Sequence, residues 1–338
     1  MAAFAHEAGR ELLSRWILGE PVIIYRKQDG EAVALAGRCP HRHFPLGKGH
    51  LEADSVICGY HGITFDATGK CVRIPSQKVV PAVYGIRHYP LVEHGMWLWI
   101  WPGDPALADP SLLPDLEEIG FRIPGFLYRP FYFHEIAGRY QLLNDNLSDL
   151  THLAYLHRSS IGTDENASVP EERSETEKVL RSRRHLRNAE QSQVLKLRSD
   201  YRGPVDRLTG MDFHLPGFHA GLDETHVPKD QATRPGECLN ASRVFHAVTP
   251  GLPGTTNYFF AMGAAASEAE LDFMHEYLKA TVAEDIFATV EIEAMLSRIG
   301  SAPQELMLRS DASAVRGRRA LQAMMDREAA HKSPASAT

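Results

Sequence analysis

Two short pairs of metal-ligand residues constrain this chain more than any other feature. Cys39 and His41 flank a single proline, and a glycine and a tyrosine separate Cys58 from His61. Each pair supplies one thiolate and one imidazole, and sixteen residues lie between His41 and Cys58. This mixture is typical of a [2Fe–2S] cluster in which one iron binds two cysteines and the other binds two histidines. We therefore predict that these four residues hold such a cluster, with a reduction potential above that of an all-cysteine cluster.

A structural zinc site is the alternative for the same four residues, because Zn²⁺ also accepts two thiolates and two imidazoles. Zinc fingers usually pair cysteine with cysteine and histidine with histidine, whereas each pair here is mixed. Pro40 and Gly59 lie inside the pairs, where tight turns can aim backbone N–H groups at sulfur. The pattern favours the iron–sulfur cluster, and the nearby His43 and His50 occupy neither ligand position.

Length, charge and cysteine usage limit the class of protein. The 338 residues suit two domains, and the net charge of −7 argues against a nucleic acid or an anionic membrane as partner. No apolar stretch reaches membrane-spanning length, and residues 1–15 lack the apolar core of a secretory signal. The chain has no GxGxxG motif, so we expect no directly bound dinucleotide. Cys71 and Cys238 lie far apart outside the two pairs, which favours a reducing cytoplasm over a disulfide framework.

A second group of polar residues lies in segment 141–157, which the pattern predicts to be a helix. His152 and His157 are five residues apart, so an ideal helix would point them roughly 140° apart. They can converge on one ion only where the helix bends, widens into a π-bulge or breaks. Asp149 lies three residues before His152 and shares its face of the helix. Taken alone, the residues fit two buried structural histidines as well as they fit a metal site.

The rest of the pattern predicts short strands first and long helices last. Pro102–Leu116, which is rich in proline, is the expected linker between domains. We expect strands at 21–26, 32–35, 63–66, 71–74, 87–90, 96–101, 128–136, 243–250 and 256–262, with further strands inside 178–197 and 211–222. Amphipathic helices are expected at 271–299 and 313–329.

Several motifs together resemble the Rieske non-heme iron oxygenases, from about residue 17 to about residue 325. The nearest likeness is to the oxygenase components of vanillate O-demethylase, dicamba O-demethylase and toluenesulfonate methyl-monooxygenase. The motifs that carry the resemblance are Cys39-Pro-His-Arg, Cys58-Gly-Tyr-His-Gly, Ile74-Pro-Ser-Gln, Trp97-Leu-Trp-Ile-Trp-Pro-Gly-Asp, and Asp145-Asn-Leu-x-Asp-Leu-x-His-x-x-Tyr-x-His.

The resemblance implies an α+β fold in two domains. Residues 1–105 would form an all-β Rieske domain, and 106–330 a helix-grip-like catalytic domain with an antiparallel sheet and helices. A disordered tail would cover 331–338. Relatives usually begin with an aromatic strand that this sequence lacks, so either the true start lies upstream or the first edge strand is absent.

The resemblance also implies a second metal, a mononuclear Fe(II). His152 and His157 would be its imidazole ligands, and Asp285 would complete the two-histidine, one-carboxylate set, with Glu284 and Glu291 as competitors. Asp149 would bridge His152 to a cluster ligand, His61, of a neighbouring subunit. Asn146 would lie near the iron without firm ligation.

The activity implied by the resemblance is oxidation of a substituted aromatic acid with O₂ as co-substrate. The favoured reaction is O-demethylation of a methoxybenzoate such as vanillate, and ring hydroxylation or ether cleavage of another aromatic carboxylate is the alternative. A separate flavin and iron–sulfur reductase would supply electrons from NAD(P)H, and the chain would form a homotrimer.

Other classes of function stay open at this point, as does the substrate site. A Rieske electron carrier would have no mononuclear iron, and a zinc-stabilised interaction protein would have no cluster. For substrate contacts, His246 matches a position that touches substrate in the dicamba enzyme, and the weaker candidates are His219, His214 and Asn257.

Overall fold

The computed structural model describes residues 1–233, 236–300 and 303–332, and it divides into two compact units. The N-terminal unit comprises Met1–Pro114 with Thr249–Asn257, and the C-terminal unit comprises Asp115–Val248 with Tyr258–Thr338. Residues 333–338, most of the tail that the sequence predicts to be disordered, lie outside the described residues.

The N-terminal unit consists of short antiparallel strands in three small sheets. Their orders are β1-β11-β10, β2-β3-β4-β9 and β5-β6-β7-β8. The strands are β1 (Ala3–Phe4), β2 (Leu13–Ile17), β3 (Glu20–Arg26), β4 (Ala32–Ala36), β5 (His50–Glu52), β6 (Ser55–Ile57), β7 (Thr64–Phe65), β8 (Cys71–Arg73), β9 (His88–Tyr89), β10 (Leu91–His94) and β11 (Trp97–Ile100).

The strand β3 is buried on both faces, which explains its continuous apolar run. Ile23 and Tyr25 pack in one core cluster, and Val22 and Ile24 pack in another. The first cluster also contains Cys39 and Cys58, so the strand core fixes the bases of both ligand loops.

The expected hairpins are present as β3–β4 and β7–β8. A short edge strand is present near the N-terminus. Ala3 and Phe4 form a two-residue strand that pairs with Leu98 and Trp97 of β11.

The C-terminal unit is built on a seven-stranded sheet in the order β12-β18-β17-β16-β15-β14-β13. The pairs from β13 to β17 are antiparallel. The strands are β12 (Leu127–Ile136), β13 (Glu172–Glu175), β14 (Val179–Ala189), β15 (Val205–His214), β16 (Phe218–His226), β17 (Cys238–Pro250) and β18 (Thr256–Ala264), and the helices are α1 (Tyr140–Ser148), α2 (Glu165–Ser168), α3 (Gln193–Arg198), α4 (Glu268–Ile299) and α5 (Ala312–Lys332).

The helix α4 has clear start and stop signals. A capping box between Ser267 and Glu270 begins it, and Gly300, in the left-handed conformation that favours glycine, ends it. Its buried stripe contains Leu271, Leu278 and Val282, and these pack in the core with residues of β12 and β18. Asp285 lies on the same stripe, which is why a carboxylate reaches the interior.

The expected α+β fold is confirmed, with an all-β N-terminal Rieske domain and a C-terminal unit of sheet and helices. One local expectation is wrong, because segment 141–157 is not one helix and α1 ends at Ser148. The strand expected inside 178–197 is present as β14, and the helix α3 begins in the last part of that range. None of the described helices is long and apolar enough to span a membrane.

Candidate metal centres and substrate cavity

Three side chains of the C-terminal unit converge on one point. Nε2 of His157 lies 2.9 Å from Oδ1 of Asp285, and Nε2 of His152 lies 3.5 Å from the same oxygen. One ligand atom from each residue lies within 4.8 Å of the others. His157 and Asp285 are buried and His152 is partly buried, so a cation here would be largely shielded from solvent.

A break in the chain makes this convergence possible. Asp149 has extended backbone angles, φ −115° and ψ 98°, and it ends α1. It also caps a short 3₁₀ helix, Leu150–Ala154, by accepting a hydrogen bond from the Thr151 backbone N–H at 2.9 Å. The spacing of the two histidines requires a bend, a π-bulge or a break in the helix, and the structure has a break at Asp149.

Both histidines are held by Nδ1, which leaves Nε2 directed at the third ligand. Nδ1 of His152 lies 2.6 Å from the carbonyl oxygen of Asp149. Nδ1 of His157 lies 2.7 Å from Oε2 of Glu284. A ring N–H donated to a carbonyl or carboxylate is the usual partner of a metal-bound histidine, because it fixes the tautomer and the orientation of the ring.

The electrostatics of the cluster follow from this packing. Burial lowers the pKa of His152, and the Asp285 carboxylate only partly offsets that effect. Burial also opposes the charged form of His157, but its contacts with Asp285 and Glu284 outweigh burial and raise its pKa. Burial opposes ionisation of Asp285, yet the hydrogen bond and charge of His157 lower its pKa. An ionised carboxylate between two imidazoles is a donor set that suits Fe(II).

The residues present therefore fit a mononuclear iron. The three candidate carboxylates occupy different positions relative to the two histidines. Asp285 faces both Nε2 atoms. Glu284 contacts the opposite side of the His157 ring, where it orients the ligand. Glu291 is exposed. Sequence reasoning missed the contact of Glu284, although adjacent helix residues point about 100° apart and so cannot easily share one ion.

Asn146 lies in α1, and Asp149 is the residue at which that helix ends. The Asp149 carboxylate accepts hydrogen bonds from Thr151 and lies 3.8 Å from Arg184, while its backbone carbonyl contacts His152. A bridge from Asp149 to His61 of a neighbouring subunit stays a prediction. Oδ1 of Asn146 is buried and has no partner among the described residues, and a place for Asn146 near the iron stays a prediction.

The second candidate centre lies on two loops of the N-terminal unit. Cys39 and Cys58 are each 1% exposed, and burial, with the neighbouring Cys58 thiol, raises the pKa of Cys39. The rings of His41 and His61 have centroids 4.6 Å apart, and both residues are exposed.

These loops fit a [2Fe–2S] cluster with two thiolates inside and two imidazoles outside. The backbone of each loop turns back on its cysteine, since His43 N–H donates to the Cys39 carbonyl and Gly62 N–H to the Cys58 carbonyl. Glycine is required at Gly59, where a Cβ atom would lie 2.9 Å from the Lys48 carbonyl oxygen. A buried pair of thiolates is stabilised by bound iron, which offsets the cost of burying their charge.

Comparison with known proteins agrees with both centres. Residues 4–90 match the Rieske [2Fe-2S] domain family, and residues 136–327 match the vanillate O-demethylase oxygenase C-terminal domain family. The chain belongs to the Rieske oxygenase family. Its cofactors are thus a [2Fe–2S] cluster and a mononuclear non-heme iron, and the zinc alternative is excluded.

Similarity to individual proteins extends over nearly the whole chain. The toluene-4-sulfonate monooxygenase system iron-sulfur subunit of Comamonas testosteroni is 32% identical over 94% of this chain and 92% of that protein. The vanillate O-demethylase oxygenase subunit of a Pseudomonas species is 32% identical over 93% of this chain and 97% of that protein. A crystal structure of dicamba monooxygenase bound to dicamba has a TM-score of 0.84 and 31% identity, covering 97% of this chain and 96% of that one.

A cavity of about 130 Å³ opens next to the candidate iron ligands of this Rieske oxygenase. His152, His157 and Asp285 form part of its lining. Most of the remaining wall is apolar and includes Leu147, Leu150, Met211, Val244, Phe260 and Leu278. Apolar walls of this kind suit an aromatic ring and exclude water.

Of the four residues predicted to contact substrate, only His246 is among the described residues that line this cavity. His246 lines it and lies 2.7 Å from the Tyr258 hydroxyl, and burial lowers its pKa to about 4. His219 lies 3.0 Å from Oδ1 of Asn144, and Asn257, in the N-terminal unit, donates to the Trp16 carbonyl at 2.7 Å. Neither of these two, nor His214, is among the described residues that line the cavity. Their roles in substrate binding stay predictions.

Proposed function

We propose that this Rieske oxygenase is the terminal component that O-demethylates a methoxybenzoate such as vanillate. It would use O₂ and electrons from a separate flavin and iron–sulfur reductase that oxidises NAD(P)H. The observation that carries the proposal is the convergence of His152, His157 and Asp285 on the wall of an apolar cavity.

The volume and lining of the cavity favour a small aromatic substrate. An apolar cavity of about 150 Å³ is enough to bind benzene, and the cavity here is of similar size at about 130 Å³. The compounds named for two relatives, vanillate and toluene-4-sulfonate, are single rings that carry an oxyanion. One ring with a methoxy or methyl group next to the metal fits both considerations.

The protein residues have separable tasks in this reaction. The bound cluster and iron would supply one-electron transfer and the activation of O₂. His152, His157 and Asp285 would hold the iron, and Glu284 would orient His157. Burial lowers the pKa of His246 to about 4, which favours the neutral ring. In the tautomer whose Nδ1 accepts from the Tyr258 hydroxyl, Nε2–H would donate to a substrate oxygen.

The three alternative functions are a Rieske electron carrier, ring hydroxylation and ether cleavage. A Rieske electron carrier needs neither a second ligand set nor a cavity beside it, so both features favour an oxygenase. Ring hydroxylation and ether cleavage would use the same iron and the same cavity. They are distinguished by product and not by geometry.

Assembly and location are part of the proposal. We expect a homotrimer, because a head-to-tail ring would bring each cluster beside the iron of the next chain. A cytoplasmic setting agrees with the free thiols of Cys71 and Cys238.

The test is a substrate screen with a surrogate reductase. Methoxybenzoates, including vanillate, should give formaldehyde and the demethylated phenol in proportion to O₂ consumed. The inactive control is Asp285→Asn, which keeps the shape of the side chain but removes the charged metal ligand. A hydroxylated ring that retains its methoxy group would favour ring hydroxylation, and no substrate-dependent O₂ uptake across the panel would contradict the proposal.

A further inference from the structure

Two arginines line the cavity, and their hydrogen bonding differs. Each of the three guanidinium nitrogens of Arg207 has a partner: Nε and Nη2 pair with the carboxylate of Asp223, and Nη1 donates to the Ile161 carbonyl at 3.0 Å. Its side chain is 4% exposed. Arg207 and Asp223 thus neutralise each other and stabilise the wall, and no nitrogen of Arg207 lacks a partner.

Arg198, the last residue of α3, has donors to spare. Nη1 donates to Oδ1 of Asn240 at 2.9 Å, and Nη2 lies 3.7 Å from Oε1 of Glu270. Nε is buried and has no partner among the described residues. The side chain is only 12% exposed, whereas that of Glu270 is 49% exposed and therefore compensates the guanidinium charge weakly.

The guanidinium is also held in one orientation. The amide of Asn240 donates to the Asp223 carbonyl at 3.1 Å and to the Ser242 hydroxyl at 3.4 Å. These two hydrogen bonds fix its Oδ1 as the acceptor for Arg198. A planar fork of N–H groups that is already oriented loses little entropy when it binds a carboxylate or sulfonate.

The other acidic groups of the cavity wall are already occupied. Asp223 is paired with Arg207, and Asp285 belongs to the metal-ligand set. A buried cation with unused donors is costly unless a partner satisfies it. Of the two arginines that line the cavity, Arg198 has a buried guanidinium nitrogen with no partner among the described residues and no fully buried carboxylate to neutralise its charge.

We propose that Arg198, oriented by Asn240, binds the oxyanion of the aromatic substrate and so selects for a singly charged ring acid, a carboxylate or a sulfonate. This inference rests on the proposed function for the aromatic part of the ligand. It adds the residue that recognises the charge and the reason that a neutral ring would bind less well.

The experiment compares each anion with its neutral counterpart on the intact metal-loaded protein. Binding is measured by isothermal titration calorimetry with 4-methoxybenzoate against 4-methoxybenzyl alcohol, and with toluene-4-sulfonate against toluene-4-sulfonamide. Arg198→Met removes the charge and keeps an apolar stem. We expect it to weaken binding of the preferred anion by about 10- to 100-fold, as for loss of a hydrogen bond to a charged group, and to change binding of the neutral partner less than about 3-fold.

Two further variants distinguish anion binding from a structural role. Glu270→Gln removes the competing negative charge but keeps the capping-box amide, so it should tighten anion binding by about 2- to 5-fold. Arg198→Lys keeps the charge without the planar fork, so its affinity for the anion should lie between those of wild type and Arg198→Met. A structural arginine would not give effects of opposite sign on the same ligand.

The outcomes separate this inference from the proposed function. A preference for anions that survives Arg198→Met, or a wild type with no preference for either anion, would overturn the role of Arg198. A preference that Arg198→Met abolishes supports it, whatever product is formed. Formaldehyde release is scored independently, so failure to demethylate would count against the proposed reaction alone.

Discussion

The two metal centres of this oxygenase are assembled in different ways. In the N-terminal unit, Cys39 with His41 and Cys58 with His61 are pairs on single turns, and the two imidazoles are exposed. In the C-terminal unit, His157 and Asp285 are 128 residues apart in sequence and both are buried. The difference agrees with their proposed tasks, since electrons must enter from another protein but the oxidation must proceed away from water.

The difference also determines which residues support each ligand. The cluster loops depend on main-chain turns and on small residues such as Gly59, so their geometry is local. The iron site depends on the break after α1 at Asp149 and on the Glu284 carboxylate, which comes from α4. We therefore expect substitutions at one centre to leave the other largely intact.

The largest effect should come from removing an outer ligand of the cluster. His61→Ala should abolish or shift the electron paramagnetic resonance signal of the reduced Rieske cluster and stop turnover. The mononuclear iron should be retained, because its ligands belong to the other unit. His50→Ala, an exposed histidine of β5, is the matched control. An unchanged signal in His61→Ala would refute the ligand assignment.

The reciprocal change is Asp285→Ala in the C-terminal unit. It should lose mononuclear iron and reduce turnover by more than the roughly 100-fold typical of a residue that only supports a ligand. The visible spectrum of the cluster should stay the same. Iron analysis together with that spectrum measures both centres at once, and Glu291→Ala on the exposed face of α4 is the control. Full activity in Asp285→Ala would show that another carboxylate binds the iron.

A smaller effect is expected where the carboxylate orients a ligand. Glu284→Gln keeps the shape of the group beside Nδ1 of His157 but removes its charge. Iron affinity should fall by about 10- to 100-fold, and added Fe(II) should restore activity. Competition with a chelator measures the affinity, with Glu291→Gln as control. Loss of activity that excess iron cannot restore would mean that Glu284 has a different task.

The smallest effect is expected on electron transfer from the cluster to the mononuclear iron. Asp149→Asn retains an oxygen that can cap Thr151, so both metals and the proposed trimer should persist. Reoxidation of the reduced cluster by O₂ and substrate should slow by about 10-fold if the carboxylate connects the centres. Single-turnover stopped-flow absorbance measures this rate, and Asp164→Asn, on the surface beside Arg158, is the control. An unimpaired rate would remove the bridging role, and a fully active monomer in light scattering would remove the route between subunits.

The sequence predicts the local cluster motifs well and the contacts between distant residues poorly. Both cluster pairs are visible as motifs because their ligands are two or three residues apart. The spacing of His152 and His157 correctly requires an interrupted helix, although the π-bulge and the break cannot be distinguished without knowing that Asp149 is extended. The identity of the third ligand came from resemblance, because no local pattern relates residue 285 to residue 157.

Contacts made by side chains between distant elements could not be predicted. Glu284 is one of many charges on α4, and only the packing of α4 against the segment after α1 brings it to His157. The same holds for Arg198, the last residue of the six-residue helix α3, which lies just beyond the region 178–197 where strands were expected. Its link to Asn240 joins residues 42 apart in sequence.

The central claim is that one chain holds two different iron centres, and metal analysis tests it most directly. Protein purified without oxygen should contain about three iron atoms and about two acid-labile sulfides per chain, the sum of a [2Fe–2S] cluster and one mononuclear iron. Chelation followed by desalting should remove about one iron and no sulfide, and Fe(II) should restore it. A stable ratio of about two irons to two sulfides, with no further iron bound on reconstitution, would contradict the account.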